Sequence, residues 1–288
     1  IDLVQRLPFQ KPEEVFEVFC FTDASKFGVG GLVQGVAGTE FHEEFTVVER
    51  AQSSTWRELK GVEALLKIQV NRLKNKKVKI MTDNQALQYI TKKGSTKTHM
   101  QQLALDVFLF CLTNNIDLSV SWISRDNNEE ADYLSKIRLA DDWGIAYRIF
   151  NYYNKTHGPF TLDPLASNKT AKTKLFYSRY LCQGSSGTNG FSHSWNDHTV
   201  WCVPTMNILP RVLSKIRNSS CKGILIVPDW RAHFARAILF KNGLLPPGMK
   251  LVQTYRNPRN FFIASPTGND VFTSSPFRSD VLVISFGY

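Results

Sequence analysis

Residues 15–36 read Val-Phe-Glu-Val-Phe-Cys-Phe-Thr-Asp-Ala-Ser-Lys-Phe-Gly-Val-Gly-Gly-Leu-Val-Gln-Gly-Val. The apolar, β-rich run from Val15 to Thr22 predicts a strand, and Asp23 to Gly31 reads as a turn feeding a second strand, Gly30 to Val36. Phe41 to Val48 continues as a third strand, with Gly35 and Gly38 flanking the turn before it.

Helical periodicity takes over next. Ser53-Ser-Thr55 offers an N-cap, and Glu58 three residues after Thr55 completes a capping-box pattern. Leu59, Val62, Leu65, Leu66 and Val70 follow at helical spacing. Val78 to Thr82 is a short strand closed by Asp83; Gln85–Lys92 and His99–Leu112 read as helices separated by Gly94. Ile116 to Ile123 alternates as a strand, and Asn128 to Ile137 is a last helix. The order βββαβααβα predicts an α/β fold: a mixed sheet with helices on its faces.

Beyond Ile137 the pattern changes. A helix is expected near Ile145–Tyr152, a strand end at Phe160–Asp163 and a short strand at Val200–Val203. A helix at Ile208–Ile216, a buried strand at Gly223–Val227 and a helix at Arg231–Phe240 follow. This alternation predicts a second α/β domain. Residues 183–190 are a loop by composition. Residues 1–14, polar with Pro8 and Pro12, read as a linker from something upstream, and Ile1 in first place points to a piece of a longer polyprotein. The expected domains are therefore 15–138 and 142–288.

The charges divide the same way. Residues 1–140 hold 18 Lys/Arg and 18 Asp/Glu; residues 141–288 hold 17 and 7, which is the whole net charge of +10. A basic domain beside a neutral one points to a polyanionic partner or to a solvated basic surface. The chain is 43% hydrophobic and 21% charged, with no run of apolar residues long enough to cross a membrane. Its five cysteines form no CxxC pair, which reads as reduced thiols in an intracellular protein, cytoplasmic or nuclear. A phosphate loop, an HExxH helix and a nucleophile elbow are all missing.

Four carboxylates stand out: Asp23 after the first strand, Glu58 in a first helical turn, Asp83 at a strand end and Asp132 early in the last helix. Singly, each has a plain structural role as turn former, capping partner, N-cap or helix-start charge. Together they can converge on one point of a mixed sheet. Hard divalent ions such as Mg²⁺ take oxygen ligands, and two of them about 4 Å apart can activate water against a phosphodiester.

The segments Thr22-Asp23-Ala-Ser, Trp56-Arg-Glu58-Leu, Thr82-Asp83-Asn84 and Asn128-Glu-Glu-Ala-Asp132-Tyr-Leu-Ser135 occur in this order. On them, residues 15–138 resemble the type-1 ribonuclease H domains of reverse-transcribing elements. The resemblance implies a ribonuclease H-like fold and an endonuclease cutting the RNA strand of RNA–DNA hybrids. It makes Asp23, Glu58, Asp83 and Asp132 both catalytic and metal-binding, with two Mg²⁺ (or Mn²⁺) ions. It makes Ser25, Lys26, Asn84 and Asn128 substrate-binding, with Gly28 beside the 2′-hydroxyl side of the RNA. An upstream reverse transcriptase domain and DNA are implied as further partners. One departure is visible: many relatives carry a His in the loop before the last helix, where this chain has Ser124-Arg-Asp-Asn-Asn. Lys60, Lys67, Arg72, Lys74, Lys76, Lys77 and Lys79 are candidates to line a hybrid's phosphates.

In the second half, Asp141-Asp-Trp143 through Phe160-Thr-Leu-Asp163-Pro-Leu-Ala-Ser167-Asn-Lys-Thr-Ala-Lys172 resembles the region after ribonuclease H in DIRS-group retrotransposons. It also resembles phage-type DNA adenine methyltransferases, and the likeness continues through Trp195, Trp201–Thr205 and Ile224–Pro228. That family's Asn/Asp-Pro-Pro-aromatic motif is replaced by Val203-Pro-Thr-Met206. Val203 accepts no hydrogen bond and Met206 offers no ring to a flipped base. The resemblance therefore implies a degenerate methyltransferase-like domain turned to nucleic-acid binding, with Asp163 as the residue that could hold S-adenosylmethionine. The rival readings are a catalytically decayed nucleic-acid-binding module and a surviving DNA adenine methyltransferase.

Overall fold

The computed structural model describes residues 14–139, 143–263 and 277–287. The expected linker 1–14, except Glu14, and Asp141 and Asp142 of the expected junction lie outside the described residues.

The first half is built from β1 (Val18–Ala24), β2 (Gly28–Val33), β3 (Phe41–Glu44), α1 (Val47–Arg50), α2 (Ser54–Ile68) and α3 (Val70–Leu73). It continues with β4 (Lys77–Thr82), α4 (Ala86–Lys93), α5 (Thr98–Thr113), β5 (Asp117–Trp122) and α6 (Glu129–Ser135). The strands form one sheet in the order β3-β2-β1-β4-β5, antiparallel from β1 to β3 and parallel from β1 through β4 to β5. This is the expected mixed sheet with flanking helices, the ribonuclease H-like arrangement.

The α2 stripe behaves as its spacing predicts. Leu59, Val62, Leu65 and Leu66 are fully buried with Cys20, Val78 and Ile80 of the sheet. Each such side chain contributes roughly 1.5–3 kcal/mol of burial. Gly61 lets α2 approach: a Cβ there would lie 2.8 Å from Val29 and 3.0 Å from the Thr22 hydroxyl. The opposite face, one residue along in the pleat, carries α6. A Cβ on Gly30 would sit 2.4 Å from Leu134 Cβ and 2.5 Å from the Ser135 nitrogen. Gly30→Ala is therefore expected to push α6 off the sheet and cost about 1–3 kcal/mol, read as a lowered Tm in a thermal melt. An unchanged Tm would refute this packing argument.

Two local expectations are corrected. The third strand stops at Glu44 instead of Val48, because Thr46 starts α1: its hydroxyl accepts from Glu49 N while the Glu49 carboxylate accepts from Thr46 N. The reciprocal capping box is thus at Thr46 and Glu49. At α2 the cap is Ser53, which accepts from Trp56 N, and Glu58 is free of any capping duty.

The second half holds β6 (Gly144–Ile145), α7 (Tyr147–His157), β7 (Thr199–Cys202), α8 (Leu209–Arg217), β8 (Lys222–Pro228), α9 (Phe234–Leu239), β9 (Met249–Tyr255), β10 (Phe262–Ile263) and β11 (Val281–Phe286). Its main sheet runs β7-β8-β11-β9, parallel only between β7 and β8. One face buries Val200, Leu225, Val227, Leu282 and Ile284 with Val212 and Leu213 of α8. The other buries Trp201, Ile224, Ile226, Val281 and Val283 with Phe150 and Tyr153 of α7. Both faces being covered explains why β8 and β11 read as unbroken apolar runs. The helix expected from Arg231 begins at Phe234, where His233 caps it by accepting from Ala235 N. Phe160–Asp163 is held by single bridges of Leu162 to Val200 and Asp163 to Phe176.

The halves are joined by more than the chain. Leu181 bridges to Phe41 at the exposed edge of β3, its N–H donates to Glu40 O at 3.0 Å, and its side chain lies in the first half's core. Lys169 Nζ of the second half donates to Glu44 O at 3.3 Å.

Candidate active site

Strand and helix ends of the first half bring carboxylates together. Asp23 sits near the end of β1, Asp83 directly follows the parallel neighbour β4, and Glu58 stands on α2. Carboxylate oxygens of these three lie within 4.8 Å of one another, with Asp23 and Glu58 buried. Burial pushes the Glu58 carboxyl up to about 9, helped by the nearby Asp23 and Asp83 charges and opposed by a backbone hydrogen bond from Ala24. Burial also raises Asp23, against the lowering effect of Ser135 Oγ, which donates to its Oδ2 at 2.6 Å. Glu58 Oε2 is buried and has no hydrogen-bond partner. Three acids held together, one with an orphaned oxygen, form a donor set that fits a hard divalent ion.

Asp132 stands apart from this trio. Its Oδ1 accepts from Arg125 at 2.7 Å and its Oδ2 from Lys136 at 2.5 Å, so the carboxylate is turned to two cations. Burial alone would raise it, but the hydrogen bonds from Lys136 and Arg125 outweigh that and hold it below the ordinary carboxylate range. It still lies near enough to Asp23 for its charge to be felt there. The structure thus converges three of the four sequence-predicted carboxylates, and the fourth is paired with Arg125 and Lys136. The Arg125 half of this ionic lock comes from the loop where a His was missed. Residues Arg125–Asn127 form a 3₁₀ turn that delivers Arg125 to Asp132. Nothing in the local sequence marks Arg125 as the partner of Asp132, which lies seven residues further on.

The other sequence-predicted residues fall into different places. Asn128 is buried, and its Nδ2 donates to Thr22 O at 3.1 Å, tying the start of α6 to β1 next to Asp23. Ser25 Oγ is engaged internally: it donates to Ser135 O at 2.7 Å and accepts from Phe27 N and Gly28 N. The hydroxyl thus closes the β1–β2 turn onto α6. Asn84 Oδ1 accepts from Ala86 N and starts α4. Lys26 is exposed beside Ser25.

The candidate phosphate-contacting cations lie on α2, α3 and the start of β4. Lys60 and Lys67 both grip the buried Glu63, at 2.5 and 2.6 Å. Lys77 pairs with Asp117, and Lys79 lies 5.1 Å from the centre of the Phe16 ring. Lys74 and Arg72 are exposed, with Arg72 donating to Gln69.

Asp163 is 3% exposed and closed in. Its Oδ2 accepts from Lys172 N at 3.1 Å, and burial raises the acid to about 7 despite that bond and the Lys172 charge. Met206 is 2% exposed, so its side chain presents no surface to a base. None of the five cysteines is in a disulfide, and burial raises Cys20 to about 12. Among the described residues no helix is long and apolar enough to cross a membrane.

No protein-family model matches the chain. No curated protein matches it. Among solved structures, it is similar to ribonuclease H1 from the halophilic archaeon Halobacterium salinarum NRC-1, at 18% identity over 41% of this chain and 92% of that one, TM-score 0.34. It is similar to LC11-RNase H1 in complex with RNA/DNA hybrid, at 14% identity over 41% of this chain and 93% of that one, TM-score 0.34. It is similar to the foamy viral protease-reverse transcriptase in complex with RNA/DNA hybrid, at 11% identity over 46% of this chain and 22% of that one, TM-score 0.34.

Proposed function

We propose that residues 15–138 are an endonuclease that hydrolyses the RNA strand of RNA–DNA hybrids. The observation that carries this reading is the meeting of Asp23, Glu58 and Asp83 with a buried, unpartnered Glu58 oxygen. Nothing in folding calls for that cluster, since each acid there raises its neighbours' cost of ionising.

Asp23, Glu58, Asp83 and, once released by Arg125 and Lys136, Asp132 would hold two Mg²⁺ or Mn²⁺ ions. Such ions, when bound, supply an activated water and take up charge on the leaving oxygen. The chain's own residues prepare the place. Ser135 fixes the Asp23 carboxylate, Asn128 locks α6 to β1, and Ser25 closes the turn that follows Asp23. Lys26 and Arg125 are the exposed cations beside these acids and would meet substrate phosphates.

In this reading the chain is part of a DIRS-group retrotransposon polyprotein with a reverse transcriptase domain upstream, and acts in the cytoplasm or nucleus. Residues 142–288 are a methyltransferase-like domain that no longer transfers methyl groups. The enclosed Asp163 and buried Met206 favour nucleic-acid binding over S-adenosylmethionine chemistry there. The ionic lock on Asp132 favours a second reading, a decayed module that binds hybrids without cutting them.

A cleavage assay decides between the two. With Mg²⁺ and a labelled hybrid, wild-type protein is expected to cut the RNA strand and Asp83→Asn to lose at least 100-fold in rate. Equal, negligible cutting by both proteins would refute the nuclease reading.

A further inference from the structure

The seam between the two halves holds a cleft of about 630 Å³. That is the size of a site for a small organic ligand or for one or two nucleotides. Its first-half wall is formed by His42, Glu43, Glu44 and Leu139; the rest comes from the second half. The second-half wall contributes Lys169, Arg179 and Arg211 and not one acid. Three of the second half's cations thus line one side of a partly open groove whose other side carries Glu43 and Glu44.

Aromatic groups are interleaved with those cations. The Arg211 guanidinium lies 4.1 Å from the centre of the Phe191 ring, and Arg179 lies 5.6 Å from that of Tyr180. Tyr180 is held in turn edge-on to the buried His42, with ring centres 5.9 Å apart. A ring behind a guanidinium fixes its position and leaves its N–H edge for an anion. Exposed Asn168 and Asn189 line the same cleft and bring amides able to donate and accept. Alternating cations and rings in a groove match a polynucleotide strand, whose phosphates repeat and whose bases each have a π-face. They match a duplex poorly, because its bases are hidden.

The cleft also leads toward the carboxylates. Leu139 lines it, and the preceding Arg138 lies 3.7 Å from the centre of the Phe27 ring, in the turn that follows Asp23. Arg50 approaches the same ring at 5.8 Å.

We propose that the cleft binds single-stranded nucleic acid, the unpaired extension of a hybrid substrate, with phosphates on Arg179, Arg211 and Lys169 and bases against Tyr180 and the Arg211–Phe191 pair. The origin of that strand rests on the nuclease reading; the binding itself does not.

Fluorescence polarisation with labelled dT10, in EDTA, tests it. Wild-type protein is expected to bind, and Arg179→Ala/Arg211→Ala to bind at least tenfold more weakly. The salt dependence should fall by about 1.4 in log–log slope, the change for two single-strand phosphate contacts. Arg217→Ala/Arg256→Ala removes the same charge outside the cleft and is expected to change affinity less than threefold. Tyr180→Leu, which keeps every charge, is expected to weaken binding at least fivefold. Adding a dT10 tail to a blunt hybrid should raise wild-type affinity at least fivefold and leave the double variant's unchanged. Cutting of the blunt hybrid should be the same in both proteins. Equal dT10 affinity for wild type and the cleft variant, or competition by dTMP at the concentration at which dT10 competes, would overturn the proposal. A protein that binds dT10 this way yet cuts no hybrid would refute the nuclease reading alone.

Discussion

Glu58→Gln is expected to make the cation-free protein more stable above pH 7 and to abolish hybrid cutting. The stability part follows from burial. Glu58 titrates at about 9 in the folded protein, far above the ordinary 4.5 of the free side chain. An acid whose pKa is higher folded than unfolded leaves the folded state holding more protons. Stability then falls as pH rises through the window from about 4.5 to about 9, by up to about 1.4 kcal/mol per pH unit. Between pH 5 and 7 that is roughly 3 kcal/mol, a sizeable share of a normal folding free energy. Glutamine keeps the shape and the acceptor for Ala24 and cannot ionise. Its melting curve should therefore be flatter with pH than wild type's, and Asp163, raised in the same direction, is common to both proteins and cancels in the comparison. Mg²⁺ is expected to restore wild-type stability, by about 2.7 kcal/mol at a hundredfold excess over its Kd, and to do little for the variant. Overlapping pH profiles for the two proteins, with equal response to Mg²⁺, would show that Glu58 is not the buried cation ligand.

Much of this centre was legible beforehand, for a physical reason. Asp23 and Asp83 lie at the carboxyl ends of neighbouring parallel strands, and strands show plainly as β-rich runs ending in turn residues. The α2 stripe was equally plain, since a helix covering a sheet must repeat its apolar residues every three to four positions. What could not be read was how side chains choose among partners. Glu58 looked like a cap because Thr55 stands three residues before it, yet Ser53 takes that role. Asp132 looked like a ligand equal to the others, yet Arg125 reaches it from a loop where only the type of residue, and not its direction, is visible. The lysines of α2 looked free, yet the buried Glu63 between them takes two.

The second half was less legible because its sheet is assembled from distant pieces. β8 was evident as a continuous apolar run, but its neighbour β11 lies more than fifty residues later, and β9 is an edge strand with exposed Leu251 and mixed polarity. The cleft between the halves is lined in part by the methyltransferase-resembling stretch Pro164–Lys169 and by Thr205, and otherwise by segments around residues 42, 180, 190 and 211. Convergence of segments so distant in the chain leaves no local trace beyond the excess of basic residues.

Leu181→Asp is expected to separate the two halves thermodynamically and to remove the cleft without touching the carboxylates. Leu181 is a second-half residue, 7% exposed, buried in the core of the first half. Its N–H and its bridge to Phe41 continue the sheet past the edge of β3. A carboxylate there would have to shed its water in an apolar pocket or drag the loop into solvent, and either route costs roughly 3–5 kcal/mol. The loop is the cheaper part to move, since Arg179, Tyr180 and Cys182 around it face the cleft. Calorimetry should then show two unfolding transitions where wild type shows one, with dT10 binding lost and blunt-hybrid cutting retained. Leu181→Met, equal in volume and apolar, should stay within about 1.5 kcal/mol of wild type and keep one transition. A single, unshifted transition for Leu181→Asp would refute this role: the halves would stay coupled without Leu181, through other contacts such as the Lys169 Nζ bond to Glu44 O at 3.3 Å.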